Sequence, residues 1–142
     1  RRKEKRRMKR KKVLFIVIVA AILMSMIAIP VVAEDEIPMW VSSICLSLRG
    51  RNSSSAKIVG TVTVKDANQD PVAEAHVVAE LTDPLNRVTL ASAETSDKGA
   101  ASFRFKPWAS GLYKLCVFSV TKEGWQYDPD SNVETCETLM VP

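Results

Sequence analysis

From Ile58 to Phe105 the chain repeats one pattern: apolar and polar residues alternate in short runs, and each run stops at a cluster of turn formers. The runs are Ile58-Val59-Gly60-Thr61-Val62-Thr63-Val64, then Val72 through Leu81, then Ala100-Ala101-Ser102-Phe103-Arg104-Phe105. Between them lie Asp66-Ala67-Asn68-Gln69-Asp70-Pro71 and Ser96-Asp97-Lys98-Gly99. A period of two sends successive side chains to opposite faces of a strand, one face to a core and the other to water. Pro, Gly, Asn and Asp supply the turns. The pattern predicts an antiparallel β-sandwich.

Seven strands are expected: Met39 to Leu48, Ala56 to Lys65, Ala75 to Thr82, Val88 to Thr95, Ala100 to Lys106, Leu112 to Thr121 and Val133 to Val141. Arg49 through Ser55 and Lys122 through Pro129 read as loops by composition. No segment after Pro38 keeps a 3.6-residue period long enough for a helix, and no internal repeat is present. Seven short strands in about a hundred residues fit an immunoglobulin-like sandwich over residues 39–142, with 34–38 as a polar lead-in.

Residues Val13 to Ile29 are apolar apart from Ser25, follow Lys9-Arg10-Lys11-Lys12, and lead into Pro30-Val31-Val32-Ala33. A basic start, an apolar stretch and small residues at the −3 and −1 positions make residues 1–33 a signal peptide cleaved before Glu34, with Met8 as the true start. The alternative is an uncleaved anchor helix, because the run approaches the ~20 residues that cross a bilayer. Either way the basic flank directs the following domain outward. The expected location is secreted or cell surface, with membrane contact only through this segment if it stays attached. One domain of 109 residues remains after cleavage.

Ten of the twenty Lys and Arg residues fall in the first twelve positions. From Glu34 onward there are ten against fifteen Asp and Glu, a net charge of −5 beneath the whole-chain value of +4. An acidic domain without a basic stripe excludes nucleic acid as a partner.

The three cysteines allow one internal bridge at most. Cys116 and Cys136 lie on strands expected to run antiparallel, each on the face opposite its strand's main apolar row, so a cross-strand disulfide is a candidate in an exported chain. Three free thiols, or a bridge from Cys45, are the other readings. Tyr113, Leu115 and Val117 are assigned to the core and Lys114 to the outside. Tyr113 follows Ser110-Gly111, where a tyrosine corner would bond its hydroxyl to nearby backbone.

Candidate chemistry is sparse. His76 is the one histidine, on the polar phase of its strand with Glu74 and Glu80, and no motif pairs it with a cysteine nucleophile. Asp66 with Asp70, and Asp128 with Asp130, are turn formers before they are calcium ligands, since the first pair lacks the Gly and terminal Glu of a calcium loop. No pattern calls for a cofactor, and the chain reads as a non-enzyme. Trp125, Tyr127 and Trp108 are the candidate binding surface, because aromatic faces stack on sugars or anchor proteins. Packing over the end of the sandwich is the competing role for them.

Three stretches in order carry a resemblance: Val62 through Ala73, Thr95 through Phe103, and Gly124 through Thr135. They resemble the fibronectin type III-like or bacterial Ig-like modules appended to secreted subtilisin-like peptidases and other bacterial surface proteins. The chain departs from that pattern where Gln69-Asp70 displaces the usual glycine before the turn proline, where Glu74 replaces a common glycine, and where Cys136 stands for a serine. The resemblance implies a non-catalytic accessory module for spacing, stability or adhesion, with a protein or polysaccharide of the cell surface as partner. The alternative function is a carbohydrate-binding module using Trp125 and Tyr127.

Overall fold

The computed structural model describes residues 35–50 and 55–142. The apolar run from Val13, the start at Met8, the cleavage point before Glu34 and positions 51–54 of the first loop lie outside the described residues.

Eight strands form two four-stranded sheets packed as a β-sandwich. They are β1 (Ile37–Arg49), β2 (Lys57–Asp66), β3 (His76–Thr82), β4 (Val88–Glu94), β5 (Ala100–Phe105), β6 (Gly111–Thr121), β7 (Trp125–Tyr127) and β8 (Cys136–Val141). One sheet has the order β5-β2-β1-β7 and the other β4-β3-β6-β8. Neighbours pair antiparallel except β7, which runs parallel to β1.

The inward rows follow the alternation in the sequence. Ile58, Val62 and Val64 of β2 face Val77, Ala79 and Leu81 of β3 and Tyr113, Leu115 and Val117 of β6 across a dry core. Burying each large aliphatic side chain stabilises the fold by roughly 1.5–3 kcal/mol relative to exposure. Gly60 stands on the inner row of β2 because a Cβ there would lie 2.6 Å from Leu115 Cδ2.

Two bulges change the phase of long strands. In β1 the pairing with β2 slips between Val41 and Ser43, so the inward row passes from Met39 and Val41 to Ile44. In β6 the partner of Val78 is Ser119 and that of Ala79 is Val117, which leaves Phe118 unpaired and brings Val120 inward. One extra residue lets a strand keep an apolar row on the core while it bends.

Two elements differ from expectation. The stretch 122–129, read as a loop, contains β7, and the terminal strand starts at Cys136 instead of Val133. Both differences come from the free edge of β1. Asp128 N–H donates to the Met39 carbonyl and Val133 N–H to the Val41 carbonyl. Asn132 Oδ1 accepts from Val41 N–H at 2.8 Å, and Glu134 Oε2 accepts from Ile44 N–H at 2.6 Å. The segment 128–134 therefore satisfies strand backbone partly with side chains, a pairing that strand periodicity does not encode. A one-turn 3-10 helix, Pro129–Ser131, sits within it, capped by Asp128.

The tight turns carry backbone cost. Gln69 (φ 69°) and Glu74 (φ 55°) are left-handed, a region that costs an L-residue of ordinary type about 1 kcal/mol or more and costs glycine nothing. Gln69→Gly and Glu74→Gly are each expected to raise stability by up to about 1 kcal/mol, less the extra entropy of an unfolded glycine. Urea unfolding of each variant checks this. Gly99 already meets the demand at φ +71°, where a Cβ would also lie 2.6 Å from the Val64 carbonyl oxygen.

Candidate functional site

At the end of the sandwich where β6 finishes, β7 holds Trp125 and Tyr127 half-buried, with Gln126 exposed between them. Both aromatics pack against the core edge, the competing role weighed for them, and they stand on a strand where a loop was expected. The turn before them, 122–125, closes through a Trp125 N–H bond to the Lys122 carbonyl, with Gly124 at φ +75°. This turn lays the Lys122 ammonium 5.4 Å from the Trp125 ring centre, within cation–π range. The same ammonium donates to the Ala73 carbonyl. Tyr127 is fixed through its hydroxyl, which accepts from Asn132 Nδ2 at 2.7 Å.

These residues line an open pocket of about 560 Å³, with Glu36, Glu74, Glu123 and Gln126 on its rim. Glu36 carries no signal in the sequence, and Glu74 is read there only as a neighbour of His76 and as the replacement of a glycine. Glu36 lies ninety residues away and reaches the pocket only because β1 and β7 are parallel neighbours. An aromatic wall bordered by carboxylates, an amide and one ammonium offers stacking and hydrogen bonds to a neutral, hydroxyl-rich ligand.

Trp108 does not belong to this group. It lies in the connection before β6, whereas the pocket follows the end of β6, so the eleven residues of that strand separate them, on the order of 30 Å of extended chain. Trp108 is 73% exposed and stands beside Arg87, whose guanidinium is 5.9 Å from the ring centre. The three aromatics expected as one surface thus occupy opposite ends of the sandwich.

His76 is exposed at the start of β3, opposite Glu94 on one side and Thr121 on the other. Cys116 and Cys136 are directly opposed on β6 and β8 and joined by a disulfide, with Cα atoms 4.1 Å apart. Val117 N–H bonds the Thr135 carbonyl, so the adjoining Cys116–Cys136 pair is the close, non-hydrogen-bonded kind, the position where cross-strand Cβ atoms come near enough to bridge. Cys45 is the free thiol, exposed on β1 in the other sheet from His76.

The carboxylates act on backbone. Asp66 Oδ1 accepts from the N–H groups of Asn68 and Asp70, each at 2.9 Å. Asp128 accepts from Asp130 N–H and the Ser131 hydroxyl. Among the described residues no three His, Cys, Asp or Glu side chains come together as a metal-binding group.

Asp83 in the β3–β4 turn has a displaced proton affinity. Burial pushes its pKa up, but the Arg87 N–H, the Arg87 side chain and the Leu85 N–H outweigh this and hold it below the usual carboxylate range. Asp83 Oδ1 accepts from both backbone groups at 2.9 Å and Oδ2 accepts from Arg87 Nε at 2.7 Å. The folded chain releases this proton more readily than the unfolded one. The stabilisation is therefore complete above about pH 5 and is lost as pH falls through the folded-state value. Thermal melts from pH 7 to pH 2 are expected to show a loss of stability in acid that is smaller in Asp83→Asn, which starts lower at neutral pH.

In comparisons with known proteins, no family model matches this chain, and no curated protein or solved structure matches it.

Proposed function

We propose that the chain is an exported, non-catalytic Ig-like module with a structural, spacer or adhesion role at the cell surface or outside the cell. The observation that carries the reading is the Cys116–Cys136 disulfide, since a cross-strand bridge of this kind persists in oxidising compartments and is kept reduced in most cytosols. The strand order supports the Ig-like part. Without β7, the sheets are β5-β2-β1 and β4-β3-β6-β8, which correspond to E-B-A and C′-C-F-G in immunoglobulin lettering. Near the start of β6, the F position, the Tyr113 hydroxyl folds back onto Trp108 and Ala109, as a tyrosine corner does. Glu74, where the resembling modules carry a glycine, and Gln69, of the Gln69-Asp70 pair that displaces one, are both left-handed.

Expression of the full chain in an exporting bacterial host, with thiols trapped by alkylation before lysis, tests the proposal. The expected result is an extracytoplasmic protein with a Cys116–Cys136 peptide, Cys45 alkylated, and either Glu34 as the new N-terminus or an intact anchored chain. A cytosolic protein with all three cysteines alkylated would overturn it.

A second reading, polysaccharide binding, is favoured by the pocket that Trp125 and Tyr127 line. It requires glycan binding that is lost in Trp125→Ala and retained in Trp108→Ala, because Trp108 is at the far end. Absence of binding on a broad glycan array removes this reading and leaves the structural one.

A further inference from the structure

The four sheet edges are not treated alike. The edge of β1 beyond the three residues of β7 is sealed by segment 128–134. In β8 the outward N–H of Thr138 is taken by the neighbouring Glu137 carboxylate at 3.1 Å. The outward positions of β5 include Arg104, and the strand runs into Lys106-Pro107. Charges, prolines and side-chain covers of this kind are how β-proteins block pairing with another chain. The edge formed by β4 carries less of this: its charges stand only at the ends, Glu94 as the last residue and Arg87 just before Val88. Its seven residues, Val88-Thr89-Leu90-Ala91-Ser92-Ala93-Glu94, pair with β3 without a bulge and contain no Pro, Lys or Arg.

The bonding phase of β4 is fixed at both ends. Asp83 N–H donates to the Arg87 carbonyl and Thr95 N–H to the Ala75 carbonyl, so odd-numbered residues of β4 bond β3 and even-numbered ones face outward. Val88, Leu90, Ser92 and Glu94 therefore present their backbone N–H and C=O groups at the free edge, and no other described strand pairs with them. Their side chains lie on the outer face, where Val88 and Leu90 are 55% and 63% exposed.

We infer that the free edge of β4 pairs with β4 of a second copy, antiparallel about a two-fold axis at Ala91, joining two four-stranded sheets into one of eight strands. The strand is its own complement in this register. Val88 faces Glu94 of the other copy and Leu90 faces its Ser92, so every outward residue enters a hydrogen-bonded pair, giving about eight bonds across the axis. Glu94, the one charge in β4, meets valine and not its own twin. The two Leu90 side chains become diagonal neighbours on the outer face, within the ~7–8 Å at which long side chains still touch. A two-fold arrangement closes on itself and leaves no further β4 edge to propagate a fibre. Pairing of this kind requires neither export nor a glycan.

The test uses the full chain carrying Cys45→Ser, which removes adventitious thiol dimers, in a mild detergent that masks the N-terminal apolar segment. Sedimentation velocity over a wide concentration range is expected to show a monomer–dimer equilibrium. Ser92→Pro deletes an outward N–H and no bond to β3, so it leaves the domain folded and weakens the dimer on the order of 100-fold. Should that variant unfold, Leu90→Lys places a charge on the same edge and leaves the backbone intact. Amide exchange gives the residue-level readout: Val88, Leu90, Ser92 and Glu94 gain protection as concentration rises, while Thr89, Ala91 and Ala93 do not. A chain that stays monomeric, or a dimer that survives both substitutions, overturns the inference.

Discussion

Replacement of Cys116 and Cys136 together by alanine is expected to cost about 3 kcal/mol, the loop-closure value for cysteines twenty residues apart. For a domain of this size that lowers Tm by on the order of 15 °C. The bridge joins neighbours that the β6–β8 ladder already aligns, so its effect falls on the unfolded chain, which without it explores every separation of the two positions. Calorimetry of the double variant against the oxidised parent measures the loss. Titrating the parent with a reductant should reproduce it. Cys45→Ala, which touches neither strand, should leave Tm within about 2 °C, as surface substitutions do. A loss below about 1 kcal/mol in the double variant would mean that the reduced, unfolded chain already holds β6 and β8 together.

Removal of Tyr113 is expected to cost as much or more. Its ring is 1% exposed in the centre of the core. Its hydroxyl is at full capacity: it accepts from Trp108 N–H at 3.0 Å and Ala109 N–H at 3.2 Å, and donates to the Ala109 carbonyl at 2.9 Å. Tyr113→Ala removes both roles and is expected to cost about 3–5 kcal/mol through the cavity it leaves. Tyr113→Phe keeps the ring and leaves two donors and an acceptor to water, at about 1–2 kcal/mol. Denaturant unfolding gives the totals. The division between ring and hydroxyl is read by amide exchange at Trp108 and Ala109, which should speed up in the phenylalanine variant while Leu115 and Val117 remain protected.

Tyr113 also illustrates what the sequence makes legible. The rows Ile58–Val64, Val77–Leu81 and Tyr113–Val117 are visible as alternation because none of them contains the extra residue of a bulge, which lies at Ser42 of β1 or at Phe118 beyond the last row. Alternation stops being informative where a ladder slips: nothing local announces that Ser42 or Phe118 is the extra residue, and the phase beyond each is set by the facing sheet. The terminal segment is obscure for a different reason. Asn132 and Glu134 bond the backbone of residues some ninety positions earlier, and a three-residue strand such as β7 is too short to show a period. At the candidate site, Trp125 and Tyr127 were legible as residue types but not as strand residues, and Glu36 carried no signal at all. Trp108 was grouped with them on chemistry alone, which is blind to the length of β6.

The placement of the three cysteines has a consequence for the order of events as the chain is made. Cys45 and Cys116 both precede Cys136, so until the last strand emerges the partner offered to Cys116 is the wrong one. Folding withdraws that choice: Cys45 ends on the outside of the β5-β2-β1-β7 sheet and Cys116 on the outside of the opposite sheet, with the whole core between them. A chain that folds before it is oxidised has one bridge to form, whereas a chain oxidised while unfolded can lock strands from different sheets together. Yield of the correct molecule is thus a race between sandwich closure and thiol chemistry, and closure waits for β8.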